Sequence, residues 1–354
     1  MACRDLLAIG TSAGGFEALR FLARQLPPDL PASVLVTIHL SSQFRSELDA
    51  IITRTGPLPA RFATDGEALV TGCIYLAPPE RHLMVDGKRI WLGIGPRENN
   101  ARPAIDPMFR SIAACCAHRA IGVILTGTLG DGASGLVALK SCGAITVVQD
   151  PHDAAFAGMP SSALQQVTPD HIARLHELPK LLQTLVKSPA GEPVPVSERI
   201  KYEVEIARSG RSSMQTMDRI GRRSVLTCPD CNGVMWEIDE GDLTRFRCHV
   251  GHTYTAELMS LALDENLRRA LASAQRGLEE RVALAQRLHR HAKERNHHLL
   301  AENWAKKVQE FGREMEVIRV SLERVDQIAA QIVGDREPLA SSDLRSKTKV
   351  SGSV

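Results

Sequence analysis

Three side chains in this sequence have the types needed for nucleophilic attack on a carbonyl, and each stands beyond an apolar run. Ser12 follows Asp5-Leu6-Leu7-Ala8-Ile9 inside Gly10-Thr11-Ser12-Ala13-Gly14. His39 follows Val34–Ile38. Asp131 lies in Thr126-Gly127-Thr128-Leu129-Gly130-Asp131-Gly132, after Gly122–Leu125. A serine hydroxyl is a weak nucleophile until a neighbour takes its proton. Histidine titrates near neutrality, so it can take that proton and return it to a leaving group. A carboxylate behind the ring fixes its tautomer and stabilises the imidazolium. The Ala13 N–H is the first candidate donor to a developing oxyanion, with a second from the loop around Thr128. The glycines around Ser12 predict a strand–turn–helix corner that holds the hydroxyl strained and exposed.

Each residue also has an ordinary reading. Ser12 and Asp131 both precede helical stretches and would serve as N-caps; His39 would serve as a polar residue ending a strand. Asp150, at the end of Val147-Val148-Gln149-Asp150, competes as the acid, although Pro151 favours a turn role for it. What separates the readings is conjunction. In an open α/β sheet, ligands bind beyond the carboxyl ends of the strands, and these three residues can share one such rim. A phosphate-binding reading of the first turn is weaker. The dinucleotide fingerprint needs glycine where Ser12 stands, and no Gly-Lys-Ser/Thr ending is present.

A second constellation lies in Cys228-Pro229-Asp230-Cys231 and Phe246-Arg247-Cys248-His249-Val250-Gly251-His252. Cys228, Cys231, Cys248 and His252 supply three thiolates and an imidazole, a set that satisfies tetrahedral zinc. His249 is an alternative ligand, less easily closed around one ion than a residue four positions from Cys248. Strand-like Trp236–Ile238 and Thr244–Arg247 between the two ligand pairs suggest a zinc ribbon, whose small core would need the metal to fold. With no ligand position open, the zinc would be structural. A redox Cys-x-x-Cys pair expects a βαβ setting and no second ligand pair. The other five cysteines, Cys3, Cys73, Cys115, Cys116 and Cys142, lie in or beside apolar segments and read as small core residues.

The elements that must position these groups alternate. Strands are expected at Leu6–Ile9, Val34–Ile38, Ile74–Leu76, Leu83–Val85, Ile90–Leu92, Gly122–Leu125 and Ile145–Val148, and helices at 15–26, 44–54, 107–118, 133–141 and 177–187. Alternation of this kind predicts an α/β fold, a doubly wound and mostly parallel sheet, over residues 1–187. Asp86-Gly87 marks a local antiparallel hairpin. Residues 188–222 read as a linker, extended at its Pro-rich start, with a short strand at Tyr202–Ile206 and a mobile stretch from Ser209 to Arg223. The ribbon-like part covers 223–255. From 256 to 333 the sequence is helical, with a heptad stripe Trp304, Val308, Phe311, Met315, Ile318, Leu322, Val325, Ala329, Ile332 and a weaker one from Leu267 to Leu288. The two stripes would pack as an αα-hairpin turning near His289–His298, or pair across a homodimer. Residues 334–354 read as a disordered tail.

Composition narrows the function. A net charge of +2 and 4% aromatic residues give no electrostatic or stacking case for nucleic acid. No apolar run is long enough to span a bilayer and no signal peptide is apparent, so a cytoplasmic protein without membrane insertion is expected.

Taken in order, Ile9-Gly10-Thr11-Ser12-Ala13-Gly14-Gly15, Ile38-His39-Leu40, Ala77-Pro78-Pro79, Arg102-Pro103-Ala104-Ile105-Asp106, Leu125 to Gly135 and Phe156-Ala157-Gly158-Met159-Pro160 resemble the catalytic domain of the chemotaxis protein-glutamate methylesterases (CheB), over roughly residues 4–187. The resemblance implies Ser12 as nucleophile, His39 as base and Asp131 as orienting acid, with no catalytic cofactor. The implied substrate is the glutamyl γ-methyl ester of a methyl-accepting chemotaxis-type receptor, with glutamine deamidation as a related reaction. The order Ser…His…Asp differs from the α/β-hydrolase order. The family's receiver domain is not expected here, so control by its phosphorylation is not either. The reading from a different class is a non-catalytic scaffold that binds receptor helices or a partner through the ribbon and C-terminal helices. A complete set of three reactive side chains argues against it.

Overall fold

A computed structural model describes residues 3–39, 47–240 and 243–334. Through residue 259 the chain forms one compact unit, and from residue 260 a second.

Apolar runs of five or six residues, flanked by glycine and polar turns, become buried parallel strands because both faces are covered. The first unit begins β1 (Leu6–Thr11), α1 (Gly15–Gln25), β2 (Ser33–Ile38), α2 (Leu48–Thr55), β3 (Ala60–Phe62) and β4 (Ile74–Leu76). The hairpin β5 (His82–Asp86) and β6 (Arg89–Gly93) follows, then α3 (Ile105–Cys115), β7 (Ala120–Ile124), α4 (Ala133–Ser141), β8 (Ile145–Gln149), α5 (Gly158–Gln166), β9 (His171–Ala173) and α6 (Leu178–Leu185). Seven strands form one sheet in the order β3-β4-β2-β1-β7-β8-β9, with every pairing parallel. The β5–β6 pair is antiparallel and stands apart as its own two-stranded sheet. Along β1, Leu7 and Ile9 face α1, α2 and α6, while Leu6 and Ala8 face α3 and α4; all four are buried. Leu6, Leu7 and Ile9 each contribute about 1.5–3 kcal/mol of burial.

The expected doubly wound α/β architecture is therefore present. The strands β3 and β9 and the helix α5 were not expected. Residues 44–46 of the expected second helix, and Leu40, lie outside the described residues.

The segment 188–222 departs from its expected linker character. It carries α7 (Glu198–Ser209) and α8 (Met214–Ile220), so the strand expected at Tyr202–Ile206 is a helix. Ser197 caps α7 by accepting from the Ile200 N–H, Gly210 ends it in the left-handed region, and Ile200, Glu203, Ile206 and Ala207 form its buried face. A four-stranded antiparallel sheet follows, made of β10 (Arg222–Thr227), β11 (Val234–Glu240), β12 (Leu243–Cys248) and β13 (Thr253–Thr255).

The second unit consists of most of α9 (Ala256–Glu294) and α10 (His298–Gly334). Arg268 Nε donates to Asp326 Oδ1 at 2.9 Å, and the Arg281 guanidinium lies 4.1 Å from the Phe311 ring centroid. The two stripes thus meet as a hairpin within one chain. The imidazole of His289 bonds the Ala301 carbonyl at 2.8 Å, as a residue of the helical turn. Of the tail expected at 334–354, Gly334 ends α10 and 335–354 lie outside the described residues. No helix among those described is long and apolar enough to cross a membrane.

Candidate functional site

The sheet reverses its winding at β1: β2 lies on one side and β7 on the other. Such a switch point opens a crevice at the carboxyl ends of the strands. Ser12 directly follows β1, His39 directly follows β2, and Asp131 stands in the loop between β7 and α4. The crevice brings all three together. Ser12 Oγ lies 3.1 Å from His39 Nδ1, and His39 Nε2 lies 2.8 Å from Asp131 Oδ2. A carboxylate only accepts, so Nε2 carries the proton and Nδ1 presents its lone pair to the hydroxyl. The ring is thus turned opposite to the serine-protease arrangement, in which Nε2 faces the serine; the chain of donors and acceptors is otherwise the same.

Local backbone explains the placement. The Ser12 N–H donates to the Thr126 carbonyl at 3.0 Å, and the Gly15 N–H donates to the Ser12 carbonyl at 2.8 Å. These bonds lock the corner between β1 and α1. The expected strain falls on Gly14, not on Ser12. Gly14 has φ +74°, and Ser12 is absent from the positive-φ residues among those described. Nor is Ser12 fully exposed; it is half-buried at the crevice floor. The 126–132 loop lies against it, since a Cβ on Gly127 would come 3.0 Å from Ser12 Cβ. Among the described residues, neither the Ala13 nor the Thr128 N–H has a protein acceptor. Asp150 closes its own turn by accepting from the His152 N–H.

Asp131 is 2% exposed and accepts from every side. Besides His39, it receives the Ile105 N–H at 2.6 Å, the Asp106 N–H at 3.3 Å and Asn99 Nδ2 at 3.0 Å. Burial alone would push its carboxyl up; the hydrogen bond and charge of His39, with Ile105 and Asn99, outweigh this and hold it below the usual range. Asp106, on the first turn of α3, is pushed up to about 7 by burial and then by the Asp131 charge. Asn99 Nδ2 bridges the two, lying 2.9 Å from Asp106 Oδ2. Asn99 has no role that the sequence alone suggests, and Ile105 and Asp106 stand in the stretch Arg102–Asp106 with no role legible there. The only local signal for Asn99 is the pair Asn99-Asn100, a residue type that tolerates the left-handed φ of +51° and +63° seen there. His82 is buried between the Pro96 carbonyl and the Ala104 N–H, as a structural residue.

The second cluster also assembles. Potential ligand atoms of Cys228, Cys231, Cys248 and His252 all lie within 4.8 Å of one another. A tetrahedron with bonds of about 2.0–2.3 Å to nitrogen and sulfur has edges of about 3.5–3.8 Å. The distances here match: Cys231 Sγ to Cys248 Sγ is 3.7 Å, and His252 Nδ1 is 3.6 Å from Cys228 Sγ and 3.5 Å from Cys248 Sγ. Hydrogen bonds from the Cys228 thiol and from His252 outweigh burial and push the Cys248 thiol down to about 3. His252 Nε2 points toward Asp230, 3.9 Å away, the outer carboxylate that orients many metal-bound imidazoles. All eight cysteines are free of disulfides, and Cys3 is exposed, not part of the core.

Between the two sites lies a buried ion cluster. Glu98 pairs with Arg110 and with Arg247, the latter at 2.7 Å; Glu203 of α7 pairs with Arg245 at 2.9 Å and with Arg110 at 3.2 Å. All five side chains are at most 1% exposed. Charges so deeply buried persist only when paired.

The CheB methylesterase family model matches residues 7–182. A protein-glutamate methylesterase/protein-glutamine glutaminase 1 of Xanthomonas euvesicatoria pv. vesicatoria is 42% identical over 179 residues, which cover 48% of this chain and 49% of that protein. A Leptospira interrogans protein that carries the corresponding name provisionally is 33% identical over 178 residues, covering 50% of this chain and 92% of its own. The crystal structure of the Thermotoga maritima CheB methylesterase catalytic domain superposes with a TM-score of 0.50 at 30% identity, over 51% of this chain and 98% of that one. The chain spans about half the length of the first of these relatives.

Proposed function

The chain belongs to the CheB methylesterase family, and from that premise we propose that it hydrolyses glutamyl γ-methyl esters on methyl-accepting, chemotaxis-type receptor proteins. The hydrogen-bonded run Ser12–His39–Asp131 carries this reading. Ser12 Oγ attacks the ester carbonyl while its proton passes to His39 Nδ1. Asp131 holds the Nε2–H and stabilises the imidazolium. The oxyanion takes the Ala13 and Thr128 N–H groups as donors. Collapse expels methanol, which receives the proton from His39. Water then enters by the same base and releases a glutamate. A glutamine amide would follow the same path with ammonia leaving, in keeping with the double name of the relatives. No step needs a cofactor. Exposed Leu129 and Phe156, on loops bordering Ser12 and Gly14, offer apolar surface to the amphipathic helix of such a receptor. The cytoplasmic location expected from the sequence goes with that substrate, and a homodimer through the C-terminal helices is compatible with it.

The second cluster is assigned to structural zinc, held by Cys228, Cys231, Cys248 and His252. With all four positions filled by protein, the ion supplies folding energy and not chemistry.

The test is methanol release from a methylated receptor fragment, together with fluorophosphonate labelling. Wild type should be labelled and active, and Ser12→Ala neither. An unlabelled wild type with an intact fold would return the chain to the scaffold reading. For the metal, about one zinc per chain is expected in wild type and close to none in Cys228→Ser; equal zinc in both would remove the assignment.

A further inference from the structure

We propose that Asn99 is a positioning residue through which the metal-bound ribbon holds Asp131 in place, so that loss of the metal slows the reaction at Ser12. This rests on the esterase and zinc readings above.

The connection is short and continuous. The Asn99 N–H donates to the Thr253 carbonyl at 2.8 Å, and Glu98 forms a parallel bridge with Thr253. Thr253 is next in sequence to His252 and opens β13, which pairs with β12 in the register Arg247↔Thr253. Arg247 is next to Cys248 and bonds Glu98, the neighbour of Asn99. Two adjacent residues, Glu98 and Asn99, are therefore gripped by the two residues that adjoin ligands in the second half of the metal cluster. From Asn99 the side-chain amide reaches Asp131 directly. The same edge also touches the loop that carries Asp131: a Cβ on Gly130 would come 3.5 Å from Thr255 Cγ2.

The amide has a chemical task there that packing alone does not require. Asp106 and Asp131 are both buried, and Asn99 Nδ2 is the donor they share. Two carboxylates facing each other without that donor would compete for a proton. Asp131 must stay an acceptor to hold His39 Nε2–H, and therefore to leave Nδ1 free for Ser12. Asn99 sits at φ +51°, a conformation that its backbone bond to Thr253 fixes and that a relaxed β13 would release. The ribbon is small, so much of its order comes from the metal. Losing the ion would free His252, and with it the adjoining Thr253 that holds the Asn99 N–H.

The experiment is a thermodynamic cycle on the full chain. Zinc-loaded and chelator-stripped protein is compared for wild type and Asn99→Gly, reading bound zinc, circular dichroism, kcat and KM on a methylated receptor fragment, and the rate of fluorophosphonate labelling at Ser12. Glycine keeps the left-handed backbone and the N–H while deleting the amide. Stripping wild type should lower kcat and the labelling rate about 10- to 100-fold, leave KM within about twofold, and reverse on adding zinc; such losses are on the scale of outer contacts to a metal or catalytic centre. Zinc-loaded Asn99→Gly should lose a similar factor, and stripping it should cost less than about threefold more. Multiplying losses would overturn the proposal, as would a stripped wild type of unchanged rate. Asn99→Gly needs no stripping, so it decides the matter even if the stripped ribbon unfolds: full activity in the zinc-loaded variant rejects the role of Asn99. A zinc-loaded wild type with no hydrolysis and no labelling rejects the esterase reading instead. An active chain that binds no added zinc rejects the metal half.

Discussion

Asp131→Asn tests the orientation of the ring. The substitution keeps the shape and removes the charge, and the surrounding donors decide how the amide sits. Its oxygen can serve at the Oδ2 position, where the Ile105 N–H arrives at 2.6 Å and His39 Nε2 at 2.8 Å. The amide NH2 then faces Asn99 Nδ2 and the Asp106 N–H, both donors. Turned over, the NH2 donates to Nε2, which forces the ring proton onto Nδ1, where it points at Ser12 and removes the base. Either way the imidazolium loses its counter-charge. Asparagine in place of a triad aspartate costs about 10⁴ in kcat where it has been studied as a template, or about 5.5 kcal/mol of barrier at 1.36 kcal/mol per decade. A loss of about 10³–10⁴ is expected here, read as methanol release per chain at saturating methylated fragment, with KM little changed. A variant within tenfold of wild type, folded by circular dichroism, would mean that the contact between His39 and Asp131 does not serve the reaction.

Three further outcomes follow from the same geometry. Gly14→Ala places a side chain at φ +74°, 3.0 Å from Ala155 Cβ; it should destabilise by about 1–2 kcal/mol from the left-handed conformation alone, visible as a lower urea midpoint. Asp106 is held at about 7 when folded, above its unfolded value of about 3.9. The stability it lends is therefore full below pH 4 and is lost as pH rises through 7. Against Asp106→Asn, the wild-type unfolding free energy should decline across that window by on the order of 3–4 kcal/mol, and parallel pH curves would contradict it. His39→Ala should lose hydrolysis by several orders of magnitude while keeping the fold; turnover comparable to wild type would remove His39 from the reaction.

The parts of the fold that were legible in the sequence are those set by local pattern. β1, β2 and β7 show as apolar runs ending at glycine or polar residues, and the chemistry lies where such strands end. The missed strands β3 and β9 are three-residue edge pieces in which Ala173 alone is buried, so no apolar run marks them. α5 opens Gly158-Met159-Pro160, which reads as a loop, although proline in a first helical turn is tolerated. α7 was misread because Glu203 interrupts its apolar stripe. A carboxylate at the centre of a buried face makes sense only beside Arg245 and Arg110, which the chain brings from elsewhere. Asn99 was hidden for the same reason: its partners Asp106, Asp131 and Thr253 come from three separate elements. The cysteine cluster was legible because ligand spacing within a knuckle is local.

Glu98 and Glu203 are paired with Arg110, Arg245 and Arg247 away from water, so β12, which carries two of these arginines, cannot be peeled back by degrees. Freeing one charge from a buried pair costs about 3–5 kcal/mol, so a backbone nick between α7 and α8 would leave the halves fastened together. A fragment ending at residue 187 would keep Glu98 and Arg110 but forfeit Glu203, Arg245 and Arg247. Such a fragment would leave the Glu98–Arg110 pair open to water on the side that α7 and β12 cover.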